Sequence, residues 1–428
     1  MAHDYLAGFG NEFESEAVAG ALPRGQFSPQ RAPHGLYAEK FSLTAFTAPR
    51  ADNRRTWFYR IRPSVTQGGY TPLATPNWSS APLVGGMTPP DPLRWSPPPL
   101  AAGRDFVDGL VTIAANGDAA TQAGIGIHLY RADQPMTRRC LVDADGELLL
   151  VPWSGAITLT TECGELDVAP GEIAIVPRGM KFAVDPHGGA AGYVCENYGA
   201  ALRLPERGPV GSDGFANNRD FLAPVAAYRD ADTPFEIVCR FQGHSFRADI
   251  DHDPFDVVAW VGTAVPCKYD LRRFNVMGSI SYDHPDPSIF TVLSAPSDTP
   301  GVANVDFVIF PPRWLVAEHS FRPPWFHRNV MSEFMGLVYG QYDAKQSGFE
   351  PGGMSLHNAF VPHGPDADVY AAASSAPLAP AKLDDTLAFM FETRYPLRLT
   401  RWALESPALQ DDYRACWQGL RRHFTPPA

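Results

Sequence analysis

The chain has 428 residues, of which 45% are apolar and 19% charged, and its formal charge is −12. That length sets an expectation of two to three domains with sizeable cores. The acidic balance excludes nucleic acid as the main partner, since phosphate binding wants a basic surface, and no apolar run is long enough to cross a membrane as a helix.

The opening "MAHDYLAGFGNEFESEA" has neither the basic nor the apolar segment of a signal peptide. Residues 1 to about 50, rich in Gly, Pro and Phe without a helical period, read as an ordered arm. "RTWFYRIRP" (Arg55 to Pro63) reads as a strand, and "MTPPDPLRWSPPPL" (Met87 to Leu100) as a proline-rich loop. From Gly109 to Val184 short apolar runs alternate with turn signals: "GLVTIAA", "GIGIHLY", "GELLLVPW", "GAITLTT", "GEIAIVPRG". That spacing predicts an all-β sandwich or barrel. A second β-rich series follows, including "PFDVVAW", "SIFTVLS", "VDFVIFPP" and "FMGLVYG". Beyond Leu383 two helices are expected, the second over "SPALQDDYRACWQGLRRHF", where Ser precedes Pro at a helix start. The 42 prolines interrupt helices and central strands, and favour short strands and ordered loops. Cys140, Cys163, Cys195, Cys239, Cys267 and Cys416 form no CxxC pair, which fits reduced thiols in a cytoplasm.

Two stretches carry the loose motifs of cupins, which are small jelly-roll barrels. "GEIAIVPRGMKF" follows the second motif, G-x5-P-x-G-x2-H, through Gly171, Pro177 and Gly179, and then has Phe182 where the histidine belongs. Upstream, Pro152 and Ser154 stand where two more histidines would lie. This half resembles a cupin without metal ligands. "HRNVMSEFMGLVYG" follows the first motif, with His327, Asn329 in place of the second histidine, Glu333 and Gly340. On one straight strand residues six apart sit roughly 20 Å from each other, so the chain must bend within "RNVMS" for His327 and Glu333 to share a metal. A third ligand is needed, and His357 or His363 supplies it. Two histidines and one carboxylate leave open positions on iron and mark ferrous oxygen chemistry.

The blocks "SPQRAPHGLYAEKFS", "SISYDHPDPSIFTVLSAPSDTPGVA", "FRPPWFHRN", "YDAKQSGFEPGGMSLHN" and "PHGPDAD" spread over nearly the whole chain. With them the sequence resembles the homogentisate 1,2-dioxygenase family. The resemblance implies an all-β bicupin with minor helices: a degenerate N-terminal barrel or sandwich and a C-terminal jelly-roll barrel. We expect the division at residues 1–272, arm and degenerate domain, and 273–428, catalytic domain with a helical tail. It implies one ferrous iron, Fe(II), held by His327, Glu333 and His363, with His284 as proton acceptor. It places Tyr342 against substrate. We expect His363 to meet substrate as well, and His357 to lie nearby, donating a hydrogen bond to substrate or to the groups around the iron. The implied partners are homogentisate and dioxygen, and the implied assembly is a homohexamer of two trimers. The reaction is ring opening to 4-maleylacetoacetate in tyrosine and phenylalanine catabolism. Other metal cupins, such as an isomerase that consumes no oxygen, and a non-catalytic bicupin are the competing classes.

Overall fold

The structure, a computed structural model, describes residues 3–84, 86–206, 208–278, 281, 283, 286–342 and 348–427. Its strands are of two kinds. Along Glu147–Ser154 six consecutive residues are buried, whereas along Ile157–Thr161 burial alternates. The difference follows from position. Glu147–Ser154 lies inside a nine-stranded sheet covered on both faces. Leu148 and Leu150 point to a core shared with Leu159, Leu166, Phe182 and Val238 of a seven-stranded sheet. Leu149 and Val151 point the other way, to a core shared with Phe307, Phe334, Leu337 and Phe389 of a six-stranded sheet. A strand buried on both sides reads as a continuous apolar run, and one buried on a single side alternates. Each fully buried Leu or Val contributes about 1.5–3 kcal/mol, which makes the central sheet the anchor of the whole chain.

The N-terminal arm is ordered, as expected: Tyr5–Ala7, Phe13–Glu16 and Tyr37–Ser42 are strands paired into larger sheets. "RTWFYR" is a strand over Arg55–Arg60. The proline-rich segment differs from expectation. It contains the strand Leu93–Trp95, which pairs with Met354–His357 at the edge of the six-stranded sheet. An edge needs hydrogen bonds on one side only, so flanking prolines are tolerated there. In return, Arg398–Leu399 pairs with Leu110–Ala115 at the edge of the nine-stranded sheet. The two halves thus exchange strands.

The tail also departs from expectation. The residues beyond Leu383 hold the strand Leu387–Thr393, a short helix Arg401–Leu404 and a 3-10 turn Tyr413–Trp417, not the long helix over Ser406 to Phe424. The backbone there is engaged elsewhere. Ser96 N donates to the Ala408 carbonyl and Gln410 N to the Arg94 carbonyl, both at 2.9 Å. Tertiary pairing therefore overrides the helical spacing. The longest helix among the described residues, Ala367–Ser375, was not foreseen; Asp366 caps it by accepting from Val369 N at 2.7 Å.

Candidate metal centre and substrate cavity

The six-stranded sheet sorts its side chains by alternation. Phe334, Phe389 and Phe391 enter the core, while their neighbours Glu333, Met390 and Glu392 face outward onto a cavity of about 460 Å³. Register aligns the polar positions into a row. Glu333 lies opposite His357 on one side and Glu392 on the other, and Glu392 lies opposite Asp306. Gly336 is required in this strand, because a Cβ there would sit 2.4 Å from the Phe389 ring.

His327 reaches this row by a bend at Val330 and Met331. The bend is set by Asn329, whose side-chain oxygen accepts from Met331 N at 3.1 Å. His327 is not on a strand adjacent to Glu333. It forms an isolated bridge with His363, with reciprocal backbone hydrogen bonds of 2.9 and 3.1 Å. His363 in turn follows a tight reversal in which Val361 N donates to the Asn358 carbonyl and Phe360 takes φ +61. The result is that His327, Glu333 and His363 each present a ligand atom within 4.8 Å of the others. His363 Nε2 is 3.0 Å from Glu333 Oε2, and His327 Nε2 is 3.8 Å from Glu333 Oε1.

The tautomers follow from the partners. His327 Nδ1 donates to the Trp325 carbonyl at 2.7 Å, and His363 Nδ1 donates to the Val361 carbonyl at 2.9 Å. Both Nε2 atoms therefore face the carboxylate, and the gap between them holds either a proton or a cation. Two Nε2 atoms oriented by backbone carbonyls, plus one carboxylate, fit a divalent transition metal with open positions. Burial alone would raise the Glu333 pKa, but hydrogen bonds from His327 and His363 and the nearby imidazoles hold it well below the usual range. The hydrogen bond to Glu333 raises His327, partly offset by burial. Glu392 is pushed up to about 7, mainly by burial, against a hydrogen bond from Asn329. The Asn329 amide donates to both Glu333 Oε1 (3.2 Å) and Glu392 Oε1 (2.5 Å). The residue that replaces the second motif histidine thus orients the carboxylate instead of joining it.

His357 is brought close as well. Its ring stacks on that of His363, centroids 3.9 Å apart and 9° from parallel, and its Nε2 lies 3.0 Å from the Tyr413 hydroxyl. The Arg94 guanidinium covers the Tyr413 ring at 4.3 Å. Tyr342 lines the cavity against Phe310 and Phe349. It gets there because the Ser332–Tyr339 strand shifts register between Leu337 and Tyr339 and then turns at Gly340, at φ +78. No Cβ is possible at Gly340, where it would lie 1.8 Å from the Asp385 carbonyl oxygen. His284 lies outside the described residues.

In the N-terminal half the motif positions carry no such group. Phe182 is fully buried against Phe106, and a bulge falls between Pro152 and Ser154. Among the described residues His327, Glu333 and His363 form the only candidate metal cluster. Three features were missed in the sequence. They are the Asn329–Glu392 contact, the reach of Tyr413 into the site, and a buried His128–Glu196 pair in the N-terminal core. Only the last had a signal, a histidine set in the apolar run "GIGIHLY".

Residues 4–271 match the family described as "Homogentisate 1,2-dioxygenase N-terminal", and residues 272–424 match "Homogentisate 1,2-dioxygenase C-terminal". Solved structures with some likeness include protein Ylba from E. coli, 10% identical, covering 77% of this chain and 93% of that one with TM-score 0.29. A cupin 2 conserved barrel domain protein from Leptotrichia buccalis is 7% identical, covering 66% and 88% with TM-score 0.28. A cupin superfamily protein from Desulfitobacterium hafniense DCB-2 is 15% identical, covering 24% and 96% with TM-score 0.19. Overlaps this loose have no bearing on function.

Proposed function

We propose how the site works from one premise: the chain belongs to the homogentisate 1,2-dioxygenase family. It is an oxidoreductase that opens the ring of homogentisate with dioxygen to give 4-maleylacetoacetate, in the breakdown of tyrosine and phenylalanine. We assign the metal as Fe(II), held by His327, Glu333 and His363. The observation that carries this is the convergence of their three ligand atoms within 4.8 Å, with both Nδ1 atoms already engaged by backbone carbonyls. Ferrous iron, when bound, supplies an electron path between an aromatic phenolate and dioxygen, which react slowly by themselves.

The chain's own groups do the rest. His284 takes the proton from a substrate hydroxyl, a task suited to an imidazole that titrates near neutral pH. Tyr342, packed between Phe310 and Phe349, contacts substrate together with His363 from the wall of the cavity. Met335 and Met390 form the apolar floor against which a ring lies and which keeps water from it. His357, stacked on His363 and anchored by Tyr413, holds that ligand at its angle.

Residues 1–272 then serve as framework and 273–428 as the catalytic part. We propose a homohexamer of two trimers; exposed Trp325, Phe326, Val330 and Phe360 give it apolar surface to bury. We assign the protein to the cytoplasm, which agrees with six free cysteines, five of them buried. No helix among the described residues is long and apolar enough to cross a membrane. The test is anaerobic loading with ferrous iron, followed by homogentisate and air in an oxygen electrode. Equimolar oxygen uptake without NADH is expected. Turnover under argon, or a need for NADH, would remove the reading.

A further inference from the structure

An anionic substrate has to enter an acidic cavity. Asp286, Asp306, Glu333 and Glu392 line it, and Arg328 is the one lysine or arginine among its described lining residues. The neighbouring arginines are committed. Arg94 bonds Gln410, Arg394 pairs with Asp298, and Arg414 pairs with Asp91. Arg328 makes no hydrogen bond or ion pair with the described residues. Exposure alone would make it an ordinary solvated arginine, but two features separate it from one. First, it stands where two cavities meet. It lines the substrate cavity and also a second one of about 510 Å³ behind His327 and His363, so its head group can swing across the mouth of the site. Second, its base is fixed. On one side the His327 backbone is bonded twice to His363, and on the other the Asn329 carbonyl accepts from Phe360 N at 2.7 Å. A long cationic side chain on a pinned backbone, with no partner among the described residues, is an anchor awaiting an anion.

We propose that Arg328 receives the carboxylate of homogentisate and makes the site select anionic arylacetates over neutral hydroquinones. This rests on the cavity being the homogentisate site. A guanidinium matches a carboxylate with two parallel hydrogen bonds, which gives orientation as well as attraction. Anchoring the acetate arm beside His327 sets how the ring hydroxyls meet the metal position. The side chain contributes to binding and orientation and takes no part in proton transfer.

The experiment compares wild type, Arg328→Gln and Arg328→Lys on homogentisate and on its neutral methyl ester. Iron content is measured for each variant. Binding of homogentisate to the zinc-loaded, inert protein is followed by calorimetry. For Arg328→Gln we expect KM and the zinc-form Kd for homogentisate to rise about 10–100-fold, the loss of one charge-assisted pair. Iron content and the ester's KM should stay unchanged, and Arg328→Lys should recover part of the loss. Unaltered Kd in Arg328→Gln, equal losses on acid and ester, or loss of iron would each overturn the role. A wild type inert toward homogentisate removes the reading of the site and this role with it. An active wild type with an unaffected variant removes the role alone.

Discussion

Among the described residues, two buried histidine–glutamate pairs have nearly equal length. His128 Nε2 lies 2.9 Å from Glu196 in the N-terminal core, and His363 Nε2 lies 3.0 Å from Glu333 in the C-terminal cavity. Residue types and distances match, yet the pairs are chemically opposite. His128 has both nitrogens taken up by side chains, Nδ1 by Thr112 Oγ1 at 2.9 Å. Burial, with the charge of Arg240, drives His128 down to about 3, and burial raises Glu196 above the glutamate range. That pair fills a core, with its imidazole held neutral and its carboxyl raised by burial. At the C-terminal pair the second nitrogens bind backbone carbonyls, Glu333 is held ionised, and the group opens onto a cavity. What the other imidazole nitrogen touches, and whether a cavity adjoins, separates a structural pair from a metal-ready one.

The sharpest way to break that contrast is to delete each carboxylate. Glu333→Ala should weaken iron binding by more than the ~100-fold usual for loss of a ligand's supporting partner, with the fold intact by circular dichroism. His363→Ala should do the same. Glu196→Ala should keep its iron and lose on the order of 3 kcal/mol of stability, because it strands buried groups. If Glu333→Ala retains full iron by metal analysis, the two pairs are alike and the assignment is wrong.

A step smaller, His284→Ala should keep iron and lose turnover by about 10²–10⁴-fold, the usual contribution of a general base. Iron lost together with activity would make His284 a ligand.

Smaller again is the effect of the stacked histidine. His357→Ala should keep most of its iron while turnover falls about 10–100-fold, and Tyr413→Phe should show a weaker version of the same change. A competition titration with a chelator decides it. Iron loss in His357→Ala with retention in His363→Ala would exchange their roles.

The smallest effect is one of pH on the N-terminal pair. The folded-state pKa of Glu196 is raised, so above the ordinary glutamate range the native state holds a proton that the unfolded chain has released. Stability from this group is present at low pH and is lost as pH rises through the raised value. Urea midpoints of Glu196→Gln relative to wild type should therefore improve with rising pH in that window, by on the order of 1 kcal/mol. A flat difference would mean that Glu196 is ionised in the fold.

Much of this was legible because its signals are local. "LLLVPW" (Leu148 to Trp153) is apolar without a break because both faces are covered. The spacing of His327, Asn329 and Glu333 required a bend inside "RNVMS", and Asn329 provides it. What stayed hidden depends on distant partners. Leu93–Trp95 is a strand only because Met354–His357 offers an edge. The helical spacing after Ser406 lost to backbone pairing with Arg94 and Ser96. The Asn329–Glu392 clamp and the Tyr413–His357 contact join residues far apart in the chain, and no local pattern encodes them.

The exchange of edge strands has a kinetic meaning. Leu93–Trp95 cannot dock until Met354–His357 exists as an edge, and Arg398–Leu399 cannot dock until Leu110–Ala115 does. Each closure spans a long stretch of chain, so its entropy must be lost before any contact rewards it. Assembly is therefore expected to be slow, with a late barrier. The same barrier stands in the way of disassembly, because neither half can peel away without surrendering a strand to solvent. Resistance of the native protein to heat and proteases should then be governed by an unfolding rate more than by an equilibrium.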